Sequence, residues 1–258
     1  MATSTDAGLN ASQPPQPSQP AGELEALTRG TITVRGLFEF GSNYTFLCEV
    51  HSPGADTPLR AVYKPAQGEQ PLWDFESGSL SRREVAAYRV SLALGWDFIP
   101  PTVLRLDGPY GEGSLQAYRD LDLEQDYFSL RETAAEDLRR VAAFDALVNN
   151  ADRKAGHLAR DREGHLWLID HGLCFHAEPK LRTVIWDFAG EEIPPGLVTD
   201  IQQLGARLRG NALLRQDLSE LLTPQEVAAL GRRVRSLVRQ PRFPVPGPGR
   251  SVPWPIWV

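Results

Sequence analysis

Cysteine is nearly missing from this chain. Only Cys48 and Cys174 occur in 258 residues, which excludes a disulfide framework and any four-thiolate zinc site. No stretch of about eighteen apolar residues is present, and the amino terminus lacks the basic-then-apolar layout of a secretion signal. We therefore expect a cytoplasmic protein with no transmembrane segment. Positive charge is not in excess either. Lys and Arg number 27 against 33 Asp and Glu, a formal charge of −6, so no nucleic-acid partner is expected, since such binding needs cations that displace counterions. The motifs G-x-S-x-G, G-x-x-x-x-G-K-[ST], H-E-x-x-H and G-x-G-x-x-G are all absent. That sets aside the nucleophile-elbow hydrolases, the P-loop enzymes, the zincins and the dinucleotide fingerprint. Two partial metal patterns fall short. The acidic run from Asp120 to Asp126 has Gln125 where a calcium loop needs glycine and Arg131 where it needs glutamate. His171, Cys174 and His176 are too closely spaced to close a tetrahedron readily.

What is present is an ordinary globular composition, 41% hydrophobic, long enough for one large domain or two lobes. Residues 1–22, with four Pro, three Gln and three Ser, offer little to bury and are expected to be a disordered tail. Residues 23–120 read as a β-rich lobe. TITVRGL (31–37), YTFLCEV (44–50), LRAVYK (59–64), TVLRL (102–106) and SLQAY (114–118) are strand-like runs separated by Gly, Pro and Asn turns. One helix interrupts them. Ser81 and Glu84 have the spacing of a capping box, Val85, Tyr88 and Leu92 follow on one face, and Gly95 suits the stop. Residues 121–240 read as a helical lobe. A second box is expected at Thr133–Glu136 and a third at Thr223–Glu226, with Pro224 at the first helical position. Leu138, Val141, Ala142 and Val148 form an apolar stripe that also contains Asp145. HLWLID (165–170) is a compact strand. Residues 241–258, with six Pro plus Trp254 and Trp257, cannot be helix and are expected to lie as an extended strap. The fold class is therefore α+β, in two lobes.

The residues able to carry chemistry stand at element ends. Lys64 closes an apolar strand in Val-Tyr-Lys-Pro, placed either to snorkel at a rim or to aim a cation into a cleft. Glu84 can serve its cap and still pair with a lysine. The polar segment from Asn149 to His157 contains Asp152, and the apolar strand after it ends in Asp170-His171-Gly172. Two held carboxylates of this kind are what metal-assisted phosphoryl transfer needs. One handles the acceptor hydroxyl and the other holds Mg²⁺.

The order strand–turn–strand, strand-Lys64, helix-Glu84, N-A-D-R-x-x-x-H at 150–157 and I-D-H-G at 169–172 resembles the protein-kinase-like superfold. It looks most like the phosphatidylinositol 3-/4-kinase-like branch and an actinobacterial group placed there. The resemblance spans roughly residues 30–220 and implies a bilobal protein-kinase-like fold with ATP between an antiparallel β-rich lobe and a helical lobe. It further implies that Lys64 pairs the nucleotide phosphates and Glu84 positions Lys64. Gly41, Ser42 and Asn43 would turn over the phosphates, and Gln116 to Tyr118 would form the hinge beside adenine. Asp152 would be the catalytic carboxylate, Lys154 would assist the transferring phosphate, and Asp170 would be the principal metal ligand. His157 stands where that family has asparagine. Imidazole is a softer ligand than a carbonyl, which favours Mn²⁺ over Mg²⁺. The implied activity is transfer of a phosphoryl group to a hydroxyl of a lipid, a protein or a small molecule. A non-catalytic nucleotide-binding scaffold and a nucleotidyl transferase are the alternatives on the same residues. The acceptor half is expected within 171–200, around Trp186-Asp187 and Glu191-Glu192.

Overall fold

The computed structural model describes residues 20–38, 43–210 and 212–257. The expected amino-terminal tail therefore lies outside the described residues up to position 19. Its last three residues do not belong to a tail, because they open helix α1 (Pro20–Arg29).

Five antiparallel strands form the first lobe: β1 (Thr31–Leu37), β2 (Phe46–His51), β3 (Leu59–Pro65), β4 (Thr102–Gly108) and β5 (Gly111–Ala117). Their order in the sheet is β1-β2-β3-β5-β4. Strand periodicity separates the two faces. Ala61, Tyr63, Cys48, Leu115 and Val103 point one way and pack with Leu27 of α1 into a core of their own. Lys64 lies opposite Ser114 and Val62 opposite Gln116, so the sequence alternation that buries Tyr63 turns Lys64 to the other face. Arg105 secures the helix behind the sheet by donating to the carbonyls of Leu27 and Gly30 at the end of α1, both at 2.9 Å.

Helix α2 (Leu80–Leu94) joins the lobes. Gly95 ends it in the left-handed conformation, φ 70°, as a C-terminal glycine does at least cost. Its start differs from the expected capping box. The helix begins two residues earlier, after Ser79, so Ser81 lies inside the first turn. The Ser81 N–H is capped instead by Glu69 Oε1 at 3.0 Å. With the cap supplied from the preceding loop, Glu84 is left for other work. Arg83, one residue before it, is buried and donates to Glu226 at 2.5 Å and to the Cys174 carbonyl at 2.7 Å. These bonds clamp α2 onto the helical lobe.

That lobe contains α3 (Tyr127–Leu130), α4 (Ala135–Val148), α5 (Pro195–Arg207), α6 (Leu213–Leu221) and α7 (Pro224–Arg239). Short strands β6 (Leu121–Asp122), β7 (Leu158–Asp161) and β8 (Leu166–Leu168) form a second sheet in that order. The box at Thr223–Glu226 is formed reciprocally, with Pro224 at the first turn. The box expected at Thr133–Glu136 is not. The N–H groups of Thr133 and Ala134 both donate to Leu130 O, so Thr133 still belongs to the preceding turn and Ala134 is the cap residue. The stripe on α4 is buried as its spacing predicts, Asp145 included. Leu138, Val141 and Phe144 join Val90 of α2 and Leu204, Leu230 and Val234 of the last helices in one large core.

After α7 the chain crosses the helical lobe without regular structure. It bonds through Phe243 to Gly190 and Glu191 and through Ser251 to Thr183. Trp257 packs on Phe128 with ring centroids 4.4 Å apart, whereas Trp254 stays largely in solvent. No helix among the described residues is long and apolar enough to cross a membrane.

Candidate active site

The β3 lysine and the α2 glutamate meet. Lys64 Nζ lies 2.5 Å from Glu84 Oε1 and 3.0 Å from Asp170 Oδ1. Glu84 is nearly inaccessible, and its other oxygen accepts the His171 N–H at 2.9 Å. One glutamate therefore holds both the lysine of the sheet and the backbone that presents Asp170. Burial on its own would favour neutral Lys64, but Asp170 and Glu84 outweigh it and hold the ammonium above its usual range.

Asp170 arrives by a local route. The β7–β8 hairpin links the 152–157 loop to Asp170, and Ile169 N–H donates to His157 O at 3.0 Å where the hairpin closes. Asp170 has φ 61°, a left-handed conformation that aspartate tolerates better than most residues. Its carboxylate meets Lys64 on one side and His157 Nε2, 3.3 Å away, on the other. Burial opposes ionisation, yet Lys64, His157 and Lys154 together keep the carboxyl well below the usual carboxylate range. The side chain remains 47% exposed, open to a ligand.

Asp152 stands across from it. Asn150 presents it through an Asx turn, its Oδ1 accepting the Asp152 N–H at 3.0 Å. Lys154 Nζ is 3.3 Å from Asp152 Oδ2. Burial pushes Asp152 up to about 6, with Lys154 pulling it down and Asp170 adding to the rise. Burial pulls His157 down to about 4 against the attraction of Asp170, so its imidazole is neutral at neutral pH. Asp152, His157 and Asp170 can each bring one ligand atom to within 4.8 Å of the others.

Beneath these groups lies a buried guanidinium. Arg153 is fully inaccessible. Its Nε lies 3.1 Å from Asp145 Oδ2, one terminal nitrogen donates to the carbonyls of His157 and Ile169, and the other lies 2.8 Å from His171 Nε2. The arginine can only donate, so His171 Nε2 accepts and its proton sits on Nδ1. Burial, then the Arg153 charge, keeps His171 neutral. Arg153 thus ties α4, the 152–157 loop and the 169–171 turn into one unit. The carboxy-terminal strap adds an outer tie, with Ala155 and Gly156 N–H donating to Ile256 O and Trp257 O at 2.8 and 3.0 Å.

No protein-family model matches the sequence. Protein Rv2133c of Mycobacterium tuberculosis (strain ATCC 25618 / H37Rv) is 38% identical over 270 residues, covering 91% of this chain and 95% of its own length. This chain belongs to the Rv2133c family. Among solved structures, the golgi casein kinase overlaps 85% of this Rv2133c-family chain and 73% of its own at a TM-score of 0.48 and 14% identity. The Helicobacter pylori proinflammatory kinase CtkA overlaps 84% and 94% at 0.49 and 11%. Both overlaps are remote, and the side chains of the site carry the functional reading.

The remaining sequence candidates fall in different places in this family member. Gln116 lies on the sheet face of Lys64 but is buried, donating to Thr102 Oγ1 at 2.9 Å. Tyr118 extends that row, its N–H donating to Arg60 O and its ring lying under the Arg60 guanidinium. Asn43 Oδ1 is taken up by the Gln70 N–H at 2.7 Å, and Gly41 and Ser42 lie outside the described residues. His171, Cys174 and His176 do not come together as a ligand set among the described residues. In the acidic run, Asp122 and Asp126 accept backbone N–H groups of their own turns. Asp187 binds Tyr127 and Arg131, and Glu191 binds Arg139, so neither stands free for an acceptor. The structural role of Arg153 is the main element the sequence reading missed. A carboxylate in the apolar stripe of α4 and an arginine eight residues later were the visible signal.

Proposed function

We propose that this protein is an ATP- and divalent-metal-dependent phosphotransferase whose nucleotide sits between the five-stranded sheet and the helical lobe. The observation that carries the reading is the convergence of Lys64, Glu84, Asp170 and Asp152 from four separate parts of the chain on one partly exposed cluster. The residues fit a metal–phosphate group. Two carboxylates and a neutral imidazole lie within reach of one ion, and Asp170 offers a hard oxygen ligand. When bound, a divalent ion there would offset phosphate charge.

The chain's own groups supply the rest. Lys64, kept cationic and oriented by Glu84, pairs with phosphate oxygens. Asp152, ionised above about pH 6, accepts a hydrogen bond from the acceptor hydroxyl and takes its proton as that oxygen bonds to the γ-phosphorus and the γ-phosphorus–oxygen bond to the departing ADP breaks. Lys154, beside Asp152, adds positive charge where the transferring group passes. Gln116 and Tyr118 border the adenine end. The branch most consistent with the motifs at 150–157 and 169–172 is the phosphatidylinositol 3-/4-kinase-like one, and the acceptor is a hydroxyl compound.

The test is thermal stabilisation by ATP with Mg²⁺ or Mn²⁺ in wild type and Asp170→Ala, followed by transfer of γ-phosphate label. We expect metal-dependent stabilisation in wild type only, and label from the γ but not the α position on the acceptor. Identical thermal behaviour of the two proteins would overturn the assignment. Binding without transfer would make it a scaffold, and α-label transfer a nucleotidyl transferase.

A further inference from the structure

Helix α7 carries Arg232, Arg233, Arg235 and Arg239, and the structure divides them. Arg233 turns inward, donating to the carbonyls of Leu147 and His176. Arg232, Arg235 and Arg239 recur at helical spacing on the exposed face. There they line a groove of ≈ 1040 Å³ between α5 and α7, whose other wall carries Arg209 and Arg215. The floor is small and apolar. Gly205, Ala228 and Gly231 lie there with Val227 and Val234, and a Cβ on Gly205 would come within 3.0 Å of Val234 Cγ1. Close approach of the two helices thus leaves a channel rather than a flat surface.

The electrostatics of this groove contrast with the rest of the molecule. Arg83, Arg139, Arg153 and Arg160 each hold a carboxylate. Among the described residues, none of the five groove arginines has a carboxylate partner and no acidic side chain lines the groove. Five unpaired positive charges are thus gathered in a chain of net charge −6. Like charges held together without counter-charge repel one another, and an anionic ligand relieves that repulsion. Guanidinium groups suit carboxylate recognition because they offer paired donors in a plane.

We propose that this groove binds an acidic, leucine-type peptide segment of a partner protein, laid along α7. Three features select that occupant. The 16 residues of α7 span ~24 Å, which an extended segment of about eight residues matches. The apolar floor takes side chains of Leu or Val size while the arginine walls take flanking Asp and Glu. Concavity disfavours a flat membrane, and the acidic remainder of the chain repels a long polyanion such as nucleic acid. The groove is separate from the cleft of Lys64 and Asp170, so the proposal stands apart from the phosphotransferase reading.

The experiment uses the full chain and a fluorescent peptide of about ten residues alternating Leu with Asp and Glu. Its control replaces Asp and Glu by Asn and Gln. Binding is followed by anisotropy at low and high salt. Wild type is expected to bind the acidic peptide about tenfold or more tighter than the control, with affinity falling as salt rises. Arg232→Glu/Arg235→Glu on one wall and Arg209→Glu on the other should each weaken it about tenfold or more, while the ATP-dependent thermal shift stays as in wild type. Retained peptide affinity in both variants overturns the proposal. So does absence of binding at low salt, or tighter capture by phosphatidylserine vesicles than by the peptide.

Discussion

Lys64 Nζ and Asp170 Oδ1 lie 3.0 Å apart although 106 residues separate them in sequence. The lysine comes from the sheet and the aspartate from the turn after β8, and Glu84 on α2 holds both sides of the contact. α2 is itself clamped to α7 through Arg83 and Glu226. The position of the lysine therefore depends on how the two lobes dock.

That dependence can be measured at Glu84. Glu84→Gln removes the charge that orients Lys64 while keeping the side-chain shape. We expect ATP affinity to fall about tenfold, with a stability loss of roughly 1–3 kcal/mol from the weakened buried pair. Isothermal titration and thermal melts read the two effects. Unchanged ATP affinity would remove Glu84 from the site.

Asp152 should limit stability while serving activity. Its pKa is raised by burial to about 6, so the folded state holds its proton more tightly than the unfolded chain does. The ionised group therefore costs stability above about pH 6, and this cost disappears as pH falls towards the unfolded value near 4. Asp152→Asn should raise stability by about 2 kcal/mol at pH 7.5, several degrees in Tm, and abolish phosphoryl transfer. The Tm gain should vanish below about pH 4.

His157 works in the opposite sense. Its pKa is lowered by burial to about 4, so the unfolded chain binds the proton more readily. Its contribution is complete above the unfolded value near 6.5 and is lost as pH falls towards 4. His157→Asn should flatten that part of the Tm–pH curve. It should also shift the metal preference from Mn²⁺ towards Mg²⁺, because a carbonyl oxygen is the harder ligand. An unchanged Mn²⁺-to-Mg²⁺ ratio would place His157 outside the metal shell.

Arg153 should be the least replaceable residue of the site. Arg153→Met leaves the Asp145 carboxylate buried without its cation, at about 3–5 kcal/mol. Replacing both, Arg153→Met with Asp145→Leu, should recover a large part of that loss in a double-mutant cycle. Additive losses would show that the pair is not coupled.

The strap gives a prediction that rests on backbone hydrogen bonds. A chain ending at Phe243 loses the carbonyls that accept from Ala155, Gly156 and Thr183. Hydrogen exchange at those three amides should accelerate, and Tm should fall by a few degrees. Unaltered exchange at Ala155 and Gly156 would mean the strap does not brace the loop.

Much of this was legible in the sequence because it is local. Alternation over 31–37, 44–50 and 59–64 gave the strands, and the same period dictates that Lys64 opposes Tyr63 in facing. The Thr223 cap, the Gly95 stop and the acidic residue in the α4 stripe each reflect short-range geometry. The failed caps are instructive for the same reason. Ser81–Glu84 has the right spacing, but Glu69 took the helix amide, a partner that only the folded loop could bring.

The amino-acid order alone determined the two-lobe α+β layout, the strand faces and the carboxylates at element ends, since these follow from periodicity and neighbouring residues. The tertiary structure decided the pairing of Lys64 with Asp170, the burial of Arg153 among three segments and the division of the α7 arginines. Those relations join residues far apart in the chain, and they arise only when packing excludes water and obliges each buried charge to find its partner.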